Sequence, residues 1–249
     1  MSELLVLVTG LGVGLVFGMF GAGGSAFATP LLALVGVPPV VAVASPLPAM
    51  LPASAAGARY YLRSGNLDAR VARLVVVGGV PGTLLGALAS NVVSGQFLLV
   101  LSGVMLFAVG ARVLMPDTLA GAANAHERIH DRNLIVGSAF AIGFLTGLLA
   151  NGGGFLLVPL FVIALGMTTA RAAGTSMVAV GALTIPTVAA HIALGHVDWV
   201  VAVAFAAGLV PGSMFSARFA QRIPTALARR AFGALLVAFS VWFLFHLAF

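Results

Sequence analysis

Long apolar runs without charge are the feature that most constrains how this chain can fold. Residues 133 to 170 contain no Asp, Glu, Lys or Arg, and this run is far longer than the roughly 20 residues that cross a bilayer core. Over the 249 residues, 61% are hydrophobic and only 7% are charged. The mean hydropathy is +1.16. We therefore predict an all-α integral membrane protein with several spans.

The placement of the basic residues predicts the orientation of these spans. A net charge of +6 would suggest nucleic-acid binding in a soluble chain, but here all basic residues fall in four places along the sequence. They are Arg59, Arg63, Arg70 and Arg73; Arg112, Arg128 and Arg132; Arg171; and Arg218, Arg222, Arg229 and Arg230. The connections 36–39, 91–95 and 195–198 carry none. The positive-inside rule then makes the arginine-bearing connections cytoplasmic and the other three periplasmic.

Two of the apolar segments have a length that fits neither one span nor two. The segments are 4–35, 40–60, 69–90, 96–113, 134–165, 172–194, 199–217 and 230–248. The first and fifth have about 31 residues, or about 46 Å at a rise of about 1.5 Å per residue. Counting crossings between the arginine-bearing connections requires the fifth segment to start and finish on the same side. We predict that both segments turn back as hairpins.

Each long segment contains a glycine cluster, and the two clusters belong to a longer repeat. Residues 20–32 read FGAGGSAFATPLL, and residues 149–161 read LANGGGFLLVPLF. At an offset of 129 to 130 residues, Gly14, Gly18, Gly23, Gly24, Pro30, Gly65, Asp68, Pro81, Gly82 and Gly103 match Gly143, Gly147, Gly152, Gly153, Pro159, Gly195, Asp198, Pro211, Gly212 and Gly233. We predict one transport domain, with repeat 1 at 1–113, a cytoplasmic linker at 114–133 and repeat 2 at 134–249.

A hairpin followed by three crossings gives each repeat an odd number of net crossings. The second repeat is therefore predicted to insert upside down relative to the first, as in many secondary transporters. Both termini are predicted to be periplasmic, in a multi-pass protein of the bacterial inner (plasma) membrane. The opening residues lack a basic region and a clear cleavage site, so we interpret them as a retained first helix.

The glycine clusters predict an anion site. Non-helical backbone at membrane depth must be buried in protein or line a polar cavity, and short helices are predicted to begin after each cluster, at about 25–35 and 154–165. Helix N-termini bind anions without a buried cation. The predicted substrate-binding backbone is that of Gly23, Gly24, Ser25, Asn151, Gly152, Gly153 and Gly154. The alternative is that these glycines only allow close helix packing.

Four hydroxyl side chains near the clusters join this predicted site as neutral donors. They are Thr29, Ser45, Thr175 and Ser176. Each alone is more often part of a helix-packing hydrogen bond.

The motifs resemble those of the TauE/SafE family of sulfite and organosulfonate exporters. The resemblance rests on FGAGGSAFATPLL followed by AVASP at 42–46, and on GFLTGLLANGGGFLLVPLF followed by ARAAGTS at 170–176, and it covers nearly the whole chain. It implies a secondary permease for sulfite, sulfoacetate or related anions. The chain departs from the family pattern at Ser25, where a third glycine is usual, and at Pro46, where a serine is usual. These departures leave open whether the two halves contribute equally to the site.

Few other residues suggest a function. His191 lies within a predicted span, where its imidazole could couple transport to protons, although a satisfied interfacial histidine is the alternative. Asp68 and Asp198 precede helices and are interpreted as N-caps. Trp199, Trp242, Tyr60 and Tyr61 are typical of an aromatic belt at the membrane interface.

Several classes of function are not supported by the residues present. The chain has no cysteine, which excludes disulfides and thiolate chemistry. Its spans show no paired carboxylates, no histidine pair at metal spacing and no nucleophile with a base. We therefore expect neither an enzyme nor a bound cofactor or metal. The predicted partners are a small anionic substrate and the lipid bilayer, with a homodimer as one candidate assembly and no nucleic acid. A passive anion channel and an importer of another small anion are the alternative functions.

Overall fold

The computed structural model describes residues 3–20, 26–115, 131–149, 154–220 and 222–248. All regular elements in these residues are helical, which confirms the predicted fold class. The helices are α1 (Glu3–Phe20), α2 (Ala28–Leu34), α3 (Pro39–Ala44), α4 (Leu47–Arg63), α5 (Ala69–Ala89), α6 (Gly95–Leu114), α7 (Arg132–Leu149), α8 (Gly154–Pro159), α9 (Thr169–Ala193), α10 (Trp199–Ala220) and α11 (Thr225–Ala248). A 3₁₀ turn (Ser90–Val92) extends α5, and a π-helical turn (Leu160–Ala164) extends α8.

Eight helical stretches among the described residues are long and apolar enough to cross a membrane. They are Glu3–Phe20, Pro39–Arg63, Ala69–Val92, Gly95–Leu114, Arg132–Leu149, Thr169–Ala193, Trp199–Ala220 and Arg230–Leu247. The six predicted single spans are all among them. The other two are α1 and α7, which form the first arms of the two long segments.

Each of the two long segments has one long and one short helical arm, and the short arms lie within the predicted short helices at about 25–35 and 154–165. In each, an 18-residue helix is followed by the break, and 18 residues give about 27 Å of helix, nearly the thickness of a bilayer core. The second arm is much shorter, with seven residues in α2 and six in α8 before its π turn. One arm is therefore long enough to cross, and the other reaches only part of the way.

The direction of each short arm follows from its neighbours in the chain. The hydroxyl of Tyr61, near the end of α4, reaches the carbonyl of Gly18, near the end of α1, so these two helices end at the same level. Since α2 finishes shortly before α3 begins at Pro39, it returns from the level where α1 ends to the level where α4's span begins. The second half repeats this arrangement with α7, α8 and α9.

The long helices pack in reciprocal pairs that connect the two halves of the chain. Helix α1 packs along α10, and its counterpart α7 packs along α5. Likewise α4 packs against α10, and its counterpart α9 packs against α5. The pairs α4 with α9 and α6 with α11 each join a helix to its own counterpart. Each half therefore completes its packing with helices of the other half.

Glycines form the closest of these contacts. On α1, a Cβ atom at Gly14 would lie 2.5 Å from the Leu209 carbonyl oxygen of α10, and one at Gly10 or Gly18 would overlap the same backbone. On α7, a Cβ at Gly143 or Gly147 would overlap the backbone of α5. The matched glycines of α1 and α7 thus serve helix packing, which is the alternative reading of the glycine pattern for these positions.

Matched glycines also end matched helices. Gly65 and Gly195 follow α4 and α9 with φ angles of 71° and 70°, and Gly36 and Gly166 follow the two short arms with φ angles of 90° and 65°. Only glycine adopts this left-handed conformation without steric cost. The turns of the two halves therefore have the same backbone form.

Candidate functional site

The two breaks lie between the long and the short arm of each hairpin. The first break is bounded by Phe20 and Ala26, and the second by Leu149 and Gly154. Six predicted substrate contacts fall outside the described residues: Gly23, Gly24, Ser25, Asn151, Gly152 and Gly153. The other predicted contacts lie within the described residues. Gly154 is buried at the start of α8, and Thr29, 1% exposed, is buried in the first turn of α2.

The hydroxyls of Ser45 and Thr175 make matched hydrogen bonds between the halves. The backbone N–H of Asp198 donates to Ser45 Oγ over 2.9 Å, and the backbone N–H of Asp68 donates to Thr175 Oγ1 over 2.9 Å. Both hydroxyls are fully buried. Ser45, which precedes α4, is thereby connected to the turn before α10. Thr175, which lies in α9, is connected to the turn before α5. Their oxygens thus have a structural role, and substrate contact at their hydrogens stays a prediction.

The two aspartates in these bonds are helix N-caps, as predicted. Asp68 Oδ1 accepts from the N–H groups of Arg70 and Val71 at the start of α5. Asp198 Oδ1 accepts from the N–H groups of Val200 and Val201 at the start of α10. Each cap satisfies amides that have no partner within the helix.

Ser176, the fourth predicted hydroxyl, is also buried within the packing of α9. Its Oγ donates to the carbonyl of Ala173 over 2.9 Å within the same helix. A hydroxyl that bonds the preceding turn of its own helix is common in buried helices. This observation does not test its role in substrate binding.

Tyr61 and His191 occupy matched positions beside the two breaks. The Tyr61 hydroxyl donates to the Gly18 carbonyl over 3.1 Å, and His191 Nε2 lies 3.5 Å from the Gly147 carbonyl. Both side chains are 1% exposed. Tyr61 therefore does not belong to an interfacial belt, and that interpretation was wrong, because its hydroxyl finds a buried backbone partner. His191 likewise has buried polar partners near the end of α9, and its role in proton coupling stays a prediction.

His191 also contacts a second histidine. Its Nδ1 lies 3.2 Å from Nδ1 of His196, which is in the turn between α9 and α10. A cavity of about 90 Å³ is lined by both imidazoles and by Ser90 and Asn91. This histidine pair was not predicted, although a spacing of five residues across the end of a helix could have indicated it.

A different set of contacts holds the other end of the bundle. Arg171 and Asp68 form an ion pair with a distance of 2.7 Å between Nη2 and Oδ2. Arg218 Nε donates to the Tyr60 hydroxyl over 2.8 Å, and its guanidinium lies 5.1 Å from the centroid of that ring. We call this region, with Tyr60, Tyr61, Asn66, Asp68, Arg171 and Arg218, the Asp68 end. The opposite region, with Ser45, Asn91, His191, His196 and Asp198, is the Asp198 end.

The three connections without arginine meet at the Asp198 end. Val40, Asn91 and His196 line the cavity there. A Cβ at Gly95 would contact the side chains of Pro39 and Val40, so the connection before α6 lies against the one before α3. Arg171 and Arg218 instead lie at the Asp68 end. The arginine-free connections and these two arginines are therefore at different ends of the helices.

Within the described residues, no group of three His, Cys, Asp or Glu side chains is close enough to hold a metal ion. The polar groups described above are backbone amides, small hydroxyls and the histidine pair. Such groups can bind and orient an ion or a proton.

These features define a polytopic, all-helical membrane protein with a broken helical hairpin in each half. The family model described as "Sulfite exporter TauE/SafE" matches residues 6–243. The chain belongs to this family, and the resemblance of its motifs is confirmed. It is accordingly a membrane transporter and not an enzyme, with a small-molecule substrate and a lipid environment.

Related curated proteins cover nearly the same length. A "Probable membrane transporter protein" of Xylella fastidiosa (strain 9a5c) is 32% identical over 248 residues, covering 96% of this chain and 95% of the relative. "Probable membrane transporter protein YunE" of Bacillus subtilis (strain 168) is 24% identical over 246 residues, covering 90% and 89%. No solved structure matches the chain.

Proposed function

We propose that this protein is a secondary transporter that exports small sulfur-containing oxyanions, such as sulfite, sulfoacetate and related organosulfonates, across the bacterial inner membrane. The observation that carries this proposal is the match of the sulfite exporter family to residues 6–243. The described membrane helices support it, because they provide polar backbone and small hydroxyls near the breaks and no catalytic group.

We place the substrate between the two glycine breaks. Support comes from the form of both hairpins, since each long helix ends and a short helix begins at the break. Backbone amides at such breaks, together with the short helices' first amides, can donate to the oxygens of a tetrahedral or pyramidal anion. We retain four hydroxyl side chains as proposed contributors, either by donating to the anion or by holding the surrounding helices in place: Thr29, Ser45, Thr175 and Ser176.

We further propose that the two repeats are inverted in the membrane within a single transport domain. The reciprocal packing of α1 with α10 and of α7 with α5 supports this arrangement. So does the separation of the arginine-free connections from the Asp68 end. By the positive-inside rule the Asp68 end is cytoplasmic and the Asp198 end is periplasmic, with both termini on the periplasmic side.

The substrate site is tested by variants in the breaks, measured in proteoliposomes. Gly24→Val and Gly153→Val should abolish sulfite counterflow, because a branched side chain restricts the backbone and fills space that the anion needs. Both proteins should still insert. Gly12→Val and Gly137→Val are matched controls on α1 and α7, since no atom lies within 4 Å of a Cβ at either position.

The outcomes separate the site from the function. Sulfite should raise the apparent melting temperature of the wild type, because a ligand that binds only the folded state stabilises it. Wild-type counterflow that persists in both break variants would move the site elsewhere. Counterflow absent from the wild type would argue against sulfite transport itself. Uphill sulfite movement driven by an ion gradient would exclude a passive channel.

A further inference from the structure

The two halves have matching backbone hydrogen bonds beside their breaks but carry different side chains there. In the first half, the Asn66 N–H donates to the Tyr61 carbonyl over 2.9 Å, and in the second half the His196 N–H donates to the His191 carbonyl over 3.0 Å. The turns are thus matched residue for residue. A tyrosine and an asparagine in one half stand where the other half has two histidines, whose imidazole rings exist in a neutral and a positively charged form.

The hydrogen bonds of the pair define where its protons lie. If His191 Nε2 carries the hydrogen that faces the Gly147 carbonyl, its Nδ1 has a lone pair and accepts from Nδ1–H of His196. Nε2 of His196 is then the nitrogen that takes up one added proton without breaking either bond. A further proton would place two N–H groups face to face at Nδ1 and separate the rings. The intact pair therefore holds one positive charge at most.

We propose that the His191–His196 pair binds the proton that is linked to anion transport. This inference rests on the proposed function of the two breaks, and it deepens that function by identifying the coupling ion. One added proton converts the pair from neutral to singly charged while keeping its contact with the Gly147 carbonyl. Tyr61, at the matched position, cannot do so.

The location of the pair explains why its charge matters to an anion. Gly147 lies in the last turn of α7, two residues before the helix ends at Leu149. The carbonyls of that turn carry negative partial charge, which opposes an anion in the break. A positive charge on the pair, whose His191 contacts the Gly147 carbonyl, offsets this repulsion, so protonation of the pair favours anion occupancy and anion occupancy favours protonation.

The surroundings of the pair leave its charge without an ion pair in the described structure. The other lining residues of the cavity are Val40 and Val43 of α3, Ser90 and Asn91 at the end of α5, Val93, and Leu98 of α6. None of these titrates. Asp198, two residues after His196, is the nearby carboxylate, and its Oδ1 caps α10. The pair is half-open to the Asp198 end through His196, so protons can reach it from that side.

The test compares the apparent affinity for sulfite at pH 5.5 and pH 7.5 in the intact protein, measured by thermal shift. The variants are His191→Gln, whose amide can still donate to the Gly147 carbonyl, and His196→Asn, which copies Asn66. His246→Gln is the control, because His246 is exposed at the end of α11. Sulfite itself gains a proton in this range, so each variant is compared with the wild type at the same pH.

A second measurement follows protons directly, using a pH-sensitive dye inside sulfite-loaded proteoliposomes. In the wild type we expect sulfite flux to move protons, and the affinity ratio between the two pH values to exceed that of either pair variant by about five-fold or more, the lower range of typical coupling. Both variants should move fewer protons per sulfite than the wild type at the same pH and should keep sulfite binding. His246→Gln should match the wild type.

Each result decides between distinct statements. Proton movement and a pH profile unchanged in both pair variants would overturn the inference while leaving anion transport intact. Sulfite flux without any proton movement in the wild type would do the same and would favour another coupling ion. A wild type that neither binds nor transports sulfite would overturn the proposed function together with this inference.

Discussion

The Asp68 end and the Asp198 end are built on the same backbone, yet they present different side chains to the breaks. At both ends a buried hydroxyl of one half accepts from the N–H of a capping aspartate of the other. At both ends an aromatic side chain reaches the carbonyl of a matched glycine. Both ends therefore share the same backbone contacts, whereas their ionisable side chains differ.

The charged contacts make the difference plain. Arg171 pairs with Asp68 at one end, but Val41 stands at the matched position beside Asp198. The Asp198 end has two histidines instead. One end therefore has an ion pair, and the other has a contact between two imidazole rings. A symmetrical scaffold can thus respond differently at its two ends.

The largest effect should come from the glycines at which α1 packs against α10 and α7 packs against α5, because these contacts are alike in both halves. Gly14→Leu and Gly143→Leu place a side chain against the backbone of α10 or α5, which cannot move aside. We expect each to destabilise the protein by about 3 kcal/mol or more, the upper range for overpacking. Thermal unfolding in detergent measures this. Gly12→Leu and Gly137→Leu lie on the open faces of the same helices. A similar loss of stability in these two variants would show that the close glycine contacts are not responsible.

A smaller and balanced effect is expected from the hydrogen bonds that connect the halves. Ser45→Ala and Thr175→Val leave the N–H of Asp198 or Asp68 without its partner in a part-buried site. Loss of a typical hydrogen bond costs about 0.5–1.5 kcal/mol, and the two variants should lose similar stability. Chemical denaturation measures both. A large loss of stability in one variant alone would show that the two hydrogen bonds are not equivalent.

The smallest effect should come from the contact that exists at one end only. Arg171→Gln removes the ion pair with Asp68, but the arginine side chain is 50% exposed. Pairs of this kind contribute about 0–1 kcal/mol and weaken with salt. We expect a slight fall in thermal stability that disappears at high ionic strength. A loss that salt does not reduce would indicate a role beyond charge, such as packing.

Much of the fold could be predicted because apolar length and glycine spacing act locally. The charge-free run at 133–170 required membrane helices, and the two glycine clusters marked the ends of α1 and α7. The N-caps at Asp68 and Asp198 also followed from position alone. These features depend on residues close in sequence.

The candidate site was harder to predict because its contacts join distant residues. Ser45 and Thr175 were predicted as substrate contacts, and that prediction gave no sign that their oxygens accept hydrogen bonds from the backbone of the opposite half. Tyr61 was assigned to an interface and is buried, since its hydroxyl meets Gly18. The offset of 130 that matches Tyr61 with His191 was present in the sequence. Its meaning depends on which helices pack together, and that is a property of the folded bundle.

The pairing of α1 with α10 has a consequence for how the protein is made. The two helices are separated by about 190 residues in the chain, and synthesis proceeds at about 5–20 residues per second. The first helix therefore waits roughly 10–40 s in the bilayer before its partner emerges. During this interval its glycine face has only lipid or the insertion machinery to contact. Helices α5 and α7 are separated by much less chain. This pair can therefore assemble while the equivalent pair of α1 and α10 is still incomplete.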